Sequence, residues 1–381
     1  MEIDYGDKLG FMHLGRGGPD SKEALELPTG EVRHAQTQVK LLGIILDTEM
    51  RFGPHLKAMK AKAQGALALT QRLGGHIYGV KGDAVRMVYK ACVLSIMEYG
   101  IEIWYHKLGR SRLEGLQKIQ NQALRLILGA AYTTPLSALH AEGALAPLHI
   151  KWHAMIQRKT IRHQYRLNLD NAVPGLAAKE GTALEFNKRL LPPGIPWKVR
   201  RAKDTAFAPW TKEEERSVDP EAIADNAELR QEMRQSLEVI EKQNAESFQE
   251  WYDNYKTRSR DNPTEEARPS CPHYRAINPK LTVSIKLPDT ILCKAMRTAS
   301  RQVLSLLVQL RTNHLGRFGV PPPCKCGSDI TVSHILRECH LREQARVALA
   351  AEAGALTDAN LLGTEDGLLA VTAFLSNPLE F

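Results

Sequence analysis

No run of about 18 consecutive apolar residues, the length that crosses a bilayer as a helix, occurs anywhere in this chain of 381 residues. Its acidic start, Met1-Glu2-Ile3-Asp4, has neither the basic nor the apolar region of a signal peptide. These absences exclude a membrane span and secretion and point to an intracellular protein, nuclear or cytoplasmic. Cysteine is scarce, with six in all. A disulfide scaffold spreads cysteines through a small secreted chain, whereas Cys92, Cys271 and Cys293 stand alone here and Cys324, Cys326 and Cys339 crowd together. That distribution suits a metal in a reducing compartment. No internal repeat is visible. The Gly-x4-Gly-Lys-Ser/Thr phosphate loop is missing, and Gly109-Arg110-Ser111 lacks the second glycine of a nucleophile elbow. Two adjacent aspartates, which many polymerases use to hold magnesium, occur nowhere.

What is present reads as a folding chain. Hydrophobic residues make up 43% and charged residues 25%, close to globular averages, and the length allows two or three domains. The net charge of +8 is unevenly spread. Residues 51–168 hold 18 Lys/Arg against 5 Asp/Glu, net +13, whereas 204–268 hold 9 against 17, net −8. Residues 1–50 are acidic, 169–203 and 269–346 basic, and 347–381 carry acids alone.

Turn formers at 15–19 and at Pro28-Thr29-Gly30 lead to the apolar run 39–46, whose β-branched and leucine content predicts one buried strand. From Pro54 to about Leu169 the spacing is helical, punctuated by glycines and Pro147. Over 111–128, Leu113, Leu116, Ile119, Ala123, Leu124, Ile127 and Leu128 recur at three or four, which predicts an amphipathic helix with basic residues outside. A helix starting at Asp83 is expected to bury Val85, Val88, Cys92 and Ile96 before Trp104 and Tyr105. The stretch 192–196 cannot continue a helix and marks a connector. Beyond it, 219–255 predicts a long acidic surface helix with Leu229, Met233, Leu237, Ile240 and Phe248 at helical spacing. A loop at 257–272, a helix over 289–312 and a short helix over 367–375 complete the reading.

Two constellations carry chemistry. Cys324-x-Cys326, His334 and Cys339 offer three thiolates and an imidazole within 16 residues, a donor set that satisfies tetrahedral zinc with no position left for water. Pro321-Pro322-Pro323 stiffens the approach and Gly327 permits the turn. The one-residue gap between the first two cysteines is tighter than usual, buried free cysteines are the other reading, and His340 competes for the role of the imidazole. The second constellation is Lys57, Lys60, Lys62, Arg72, Lys81, Arg86, Lys90, Lys107, Arg110, Arg112, Lys118 and Arg125, a basic set suited to a phosphate backbone. A solvated helical surface is its bland alternative. His76, His106 and His153 read as surface residues.

Four segments resemble the reverse transcriptases of non-LTR (LINE-type) retrotransposons. The run 39–47 with Phe52 and His55 is similar to the strand and turn ending that family's palm, and the helix from Lys57 resembles its thumb. The stretch 89–104, with Glu98-Tyr99-Gly100 and Trp104, resembles the next segment, and Gln117-Lys118-Ile119-Gln120-Asn121 through Arg125 with Thr133-Thr134-Pro135 the continuation. Finally, Leu310-Arg311-Thr312-Asn313-His314, the Cys324/Cys326/His334/Cys339 set and Arg346 look like the family's C-terminal zinc knuckle.

The resemblance implies a mainly α fold, a helical thumb/connection bundle with a short β remnant at the N-terminus and a small zinc-knuckle-like module. The segments are then an end-of-palm remnant over 1–50, a basic thumb/connection over 51–168, a Pro-rich connector and acidic arm over 169–269, a helix plus CCHC module over 270–346 and a tail helix over 347–381. The family's Tyr-x-Asp-Asp turn would lie upstream of Met1, with residues 9–14 as the strand after it. No Mg2+ site is therefore expected, no residue is assigned as catalytic, and this chain alone is expected not to polymerise. The expected partner is RNA or an RNA/DNA hybrid, with structural Zn2+ as cofactor. A helical protein-interaction scaffold, or a non-catalytic part of a split enzyme completed by an upstream polymerase fragment, are the alternatives.

Overall fold

The computed structural model describes residues 10–14, 24–74, 78–169, 183–193, 195, 220–257, 268–269, 271–278, 291–315 and 323–376. The glycine-rich stretch 15–19, His76 and Pro321-Pro322 lie outside them. Residues 10–14, expected as a strand, form none; Phe11 only accepts a backbone hydrogen bond from Gln36 at 2.7 Å. Strand β1 (Ala24–Glu26) pairs with β2 (Val32–His34) around Pro28-Thr29-Gly30, where Gly30 takes φ +79°.

The run 39–46 is a hairpin, not one strand: β3 (Gln38–Leu41) and β4 (Ile44–Asp47) pair antiparallel, with Val39 opposite Leu46. The two residues between them, Leu42 and Gly43, take φ of +46° and +87°, the primed-turn geometry that matches strand twist. Leucine is unusual there, which hid the turn. The hydroxyl of Tyr99 donates to the Leu42 carbonyl at 2.6 Å and holds it. Gly100, itself at φ +61°, lets Ile44 pack so closely that a Cβ would meet its Cδ1 at 2.6 Å. Asp47 closes the exit by accepting from the backbone N–H of Arg51 (2.9 Å) and Phe52 (2.6 Å).

Helix α1 (Gly53–Gln71) follows, then α2 (Gly82–Val88), a π-helical segment Tyr89–Leu94, and α3 (Ser95–Glu98). The π segment corrects the expected buried face. One extra residue per turn rotates everything after it, so Tyr89, Val93, Leu94 and Met97 are buried beside Val85, while Cys92 is exposed and Val88 and Ile96 only half-buried. After α4 (Ile101–Trp104) comes α5 (Arg110–Leu128), whose apolar face is buried as its spacing predicts and which ends at Gly129 in the left-handed region, φ +62°.

Helices α6 (Leu136–Gly143) and α7 (Leu148–Leu169) enclose a polar network drawn from α5. Gln120, fully buried, donates to the Ala146 carbonyl at 2.7 Å, and Gln117 accepts from the Leu148 N–H at 2.8 Å. His140 is buried with Nδ1 at 2.6 Å from the Leu145 carbonyl and Nε2 at 3.2 Å from the Gln117 amide. Nδ1–H donating to the carbonyl leaves Nε2 as an acceptor, which is the neutral ring. Burial pulls the His140 pKa down to about 4. Trp104 and Trp152 meet edge to face at 5.8 Å in the core.

Helix α8 (Ala183–Arg189) ties back through Asn187 Nδ2 to the Glu102 carbonyl at 3.0 Å. The acidic helix α9 (Pro220–Asn254) lies on α7: Ile240 packs with Ala154 and Ile161, and Phe248 with Ala146 and Ile150. The expected loop after it begins and ends in two-residue strands, β5 (Lys256–Thr257) and β6 (Arg268–Pro269). Next are α10 (Pro272–Ile277), α11 (Ile291–Thr298) and α12 (Arg301–Thr312). The last two were expected as one helix; Ser300 breaks it by capping, its hydroxyl accepting from the Val303 N–H at 3.3 Å. Helices α13 (Glu343–Ala353), α14 (Asp358–Gly363) and α15 (Glu365–Ser376) finish the chain.

One continuous core runs from Ile44 through α1, α5 and α12 to Leu375. A buried ion pair crosses it. Arg311, 3% exposed at its side chain, donates through Nε to Glu142 (1% exposed) at 2.5 Å, lies 5.7 Å from the Tyr274 ring centroid and donates to the Leu362 carbonyl. One guanidinium thus joins α6, α10, α12 and α14. Among the described residues no helix is long and apolar enough to cross a membrane.

Candidate metal centre and nucleic-acid interface

The segment 324–328 folds into a tight turn in which Gly327 N–H donates to Cys324 O (2.7 Å) and Cys324 N–H to Ser328 O (2.9 Å). Gly327 takes φ +90°, so glycine absorbs the strain of the one-residue cysteine gap. The other two donors come from a π-helical turn, His334–Glu338, which closes with Cys339 N–H donating to His334 O at 2.8 Å. In an α-helix, residues five apart point about 140° from each other, because each step turns roughly 100°. The wider π turn is what brings His334 and Cys339 to one side.

The four donor atoms lie within 4.8 Å of one another, with Cys324 Sγ to Cys339 Sγ at 3.8 Å and Cys326 Sγ to His334 Nε2 at 3.2 Å. Tetrahedral zinc with ~2.3 Å bonds to sulfur requires sulfur pairs ~3.8 Å apart. The cluster could hold zinc, and the imidazole is that of His334; His340 is exposed in the next turn. Hydrogen bonds from the Ser328 backbone N–H and hydroxyl pull the Cys326 thiol down to about 6, while burial pushes Cys339 up. Arg346 clamps the turn, donating to Cys339 O at 2.5 Å and Leu336 O at 3.2 Å. Such outer contacts orient the donors. The module does not stand apart from the rest, because Val332, Ile335 and Leu336 belong to the main core.

The basic residues divide by placement. Lys57, Lys62, Arg72, Lys81, Lys90, Lys107, Arg110, Arg112 and Lys118 are exposed, and Lys60 and Arg125 half-buried. Arg86 is different: it is buried, 4.0 Å from Asp83, so it is turned into the protein rather than out to a partner. Arg110 pairs with Glu114 at 3.0 Å. His106, expected at the surface, is wedged between Phe52 and Phe186 at ring distances of 6.2 and 6.1 Å.

Helices α1 and α5 run side by side in the same direction. A Cβ on Gly53 would lie 3.5 Å from Arg112 Nη2, and one on Gly115 would lie 3.2 Å from Lys60 Nζ. Glycine at 115 therefore leaves room for the Lys60 ammonium against α5. Farther along, the same two helices frame a cleft of about 540 Å³ between Gln64, Leu67 and Gln71 on one side and Gln122, Arg125 and Leu126 on the other. The spacing of Lys57, Lys60, Gln64 and Gln71, and of Gly115, Lys118, Gln122 and Arg125, keeps each set on one helix face. Sequence reading missed the glutamines, Tyr132 and Arg301, which complete the cleft; none has a charge or motif signal tying it to the others along the chain.

The described residues form a mainly helical protein with a Cys/His cluster that could be a zinc knuckle. The chain's homologues are RNA-directed DNA polymerases of non-LTR retrotransposons, matched over part of their length, consistent with a C-terminal part of a reverse transcriptase. The probable RNA-directed DNA polymerase from transposon BS of Drosophila melanogaster is 31% identical over 179 residues, 47% of this chain and 18% of the relative. The Pol polyprotein of a type-1 retrotransposable element R1 from Bradysia coprophila is 25% identical over 138 residues, 34% of this chain and 13% of the relative. That of an R1 element from Nasonia vitripennis is 27% identical over 85 residues, 22% of each. The matches thus span at most 22% of the length of these curated relatives. No family model and no solved structure matches the chain.

Proposed function

We propose that this chain is a nucleic-acid-binding portion of a non-LTR retrotransposon reverse transcriptase, which grips RNA or an RNA/DNA hybrid through the α1/α5 face and carries a structural zinc in its Cys3His module. The observation that carries this is the placement of Lys57 and Lys60 on one face of α1 and of Lys118 and Arg125 on one face of the adjoining α5, with Arg112 Nη2 beside Gly53 at the start of α1, a span of roughly 20 Å from Arg112 to Arg125 at ~1.5 Å rise per residue. A relative named as a probable RNA-directed DNA polymerase supports a nucleic-acid partner. Contacts of this kind read phosphates and helix shape, not sequence.

Binding to labelled RNA, and to a hybrid duplex, at several salt concentrations tests the reading. If five side chains meet phosphates, log affinity falls with log salt at a slope of roughly −4 to −5, and replacing Lys57, Lys60 and Lys118 by Ala flattens it by about 3. No binding at about 50 mM salt, or an unchanged slope in the triple variant, overturns it.

A further inference from the structure

The cleft at the far end of the α1/α5 face has a composition unlike the rest of that face. Its floor is apolar, formed by Leu67, Leu126 and Ala130. Three amide side chains, Gln64, Gln71 and Gln122, stand along its walls, and among the described residues no Asp or Glu lines it. Tyr132 rises at the mouth, 70% exposed. Arg125 is fixed there by Nε to Tyr132 O and Nη1 to Asn121 O, both at 3.3 Å, with its guanidinium 5.4 Å from the Tyr132 ring centroid. Arg301, buried and bonded through Nη1 to Ile127 O at 2.7 Å, brings a second guanidinium to the inner wall.

Each part has a separate chemical meaning. A fixed guanidinium suits a phosphate oxygen. Carboxamides carry donor and acceptor together, which matches the edge of any nucleobase. An exposed phenol ring backed on one face by arginine offers its other face for stacking on a base. A base inside a duplex shows neither of its faces to such a platform, since both are covered by its neighbours.

We propose that this cleft seats one unpaired nucleotide of a single-stranded RNA or DNA segment, its base stacked on Tyr132, its edge met by Gln122 and Gln64, and its phosphate held by Arg125. The inference rests on the nucleic-acid reading above and adds to it: the basic stripe takes backbone of any form, and the cleft distinguishes an unpaired base from a paired one.

The test uses the full chain with two probes, a 12-nucleotide oligouridylate carrying one 2-aminopurine and a 12-base-pair duplex. The single strand is expected to show a 2-aminopurine fluorescence change on binding. Tyr132→Ala should weaken single-strand binding by about 10-fold, the equivalent of one stacked base, while leaving duplex affinity and the salt slope as they were. Tyr132→Phe keeps the ring and should retain binding, and an unaltered melting curve for both variants shows that the fold is intact. Equal losses on strand and duplex, no loss with Tyr132→Ala, or no 2-aminopurine response while the duplex still binds overturns the inference alone. Failure of the unmodified chain to bind either probe overturns it together with the reading on which it rests.

Discussion

The helical bundle of α1 to α7 and the Cys/His module bury polar groups in opposite ways. In the bundle, Gln117 bonds Asn121 and His140, His140 meets the Leu145 carbonyl and Gln120 the Ala146 carbonyl, so this network is partnered within the fold. In the module, three sulfurs and an imidazole face a common point, and thiols are weak hydrogen-bond partners. The bundle's amide network is complete as folded; the module's donor set is one that a cation could complete. Yet the module's outer side chains, Val332, Ile335 and Leu336, are part of the same core as the bundle. Loss of a cation bound there would therefore be felt beyond the turn.

Metal removal is the strongest way to break this contrast. The purified chain is expected to contain one equivalent of zinc by elemental analysis, lost in Cys324→Ser and in Cys339→Ser. Structural sites supply an apparent 10 to 16 kcal/mol or so, so chelation should lower the melting temperature sharply while far-ultraviolet circular dichroism retains the bundle's helices. A metal-free protein with an unchanged melting temperature would end the distinction between the two regions.

The Arg311–Glu142 pair gives the next largest effect. Removing one partner strands a buried charge, at a cost of about 3–5 kcal/mol, whereas replacing both with apolar residues of similar volume is close to neutral. Urea denaturation should accordingly show Arg311→Met and Glu142→Leu each strongly destabilised and the double variant largely restored. Additive losses would mean that the two side chains act independently.

His140 sharpens the comparison from the bundle's side. Its folded pKa of about 4 lies below the ordinary histidine value near 6.5, so the folded state resists protonation. The stability it preserves is therefore intact above pH ~6.5 and is lost as the pH falls toward 4, by roughly 3 kcal/mol in all. Denaturant unfolding of the unmodified protein and His140→Gln from pH 7 to 4 should diverge in that window, the variant varying less. Parallel curves would place the acid sensitivity elsewhere.

The residues that carried the family resemblance are mostly architecture. Tyr99 and Gly100 seat the hairpin, Gln120 and Asn121 belong to the buried amide network, Arg311 forms the cross-core ion pair and Arg346 clamps the cysteine turn. The surface that the proposals depend on lies between those motifs, on helix faces whose partners are distant in the chain. Arg86 shows the limit of counting charges: within one basic series it alone is buried, because its position on α2 faces inward beside Asp83. The hairpin turn at Leu42-Gly43 and the two π segments escaped notice because each departs by a residue or two from an otherwise regular pattern.

Periodicity, charge partition and donor type are properties of short windows, and they gave most of the helical segments, the basic segment and the four candidate metal donors before any folding was considered. Which faces turned outward, which arginine was sealed in an ion pair and which glutamines came to share a cleft with Tyr132 depended on packing among segments up to about 240 residues apart in the chain, from Gln64 to Arg301. Local spacing sets the direction of a side chain relative to its own helix axis; only the neighbouring helices determine whether that direction leads to solvent or to the core.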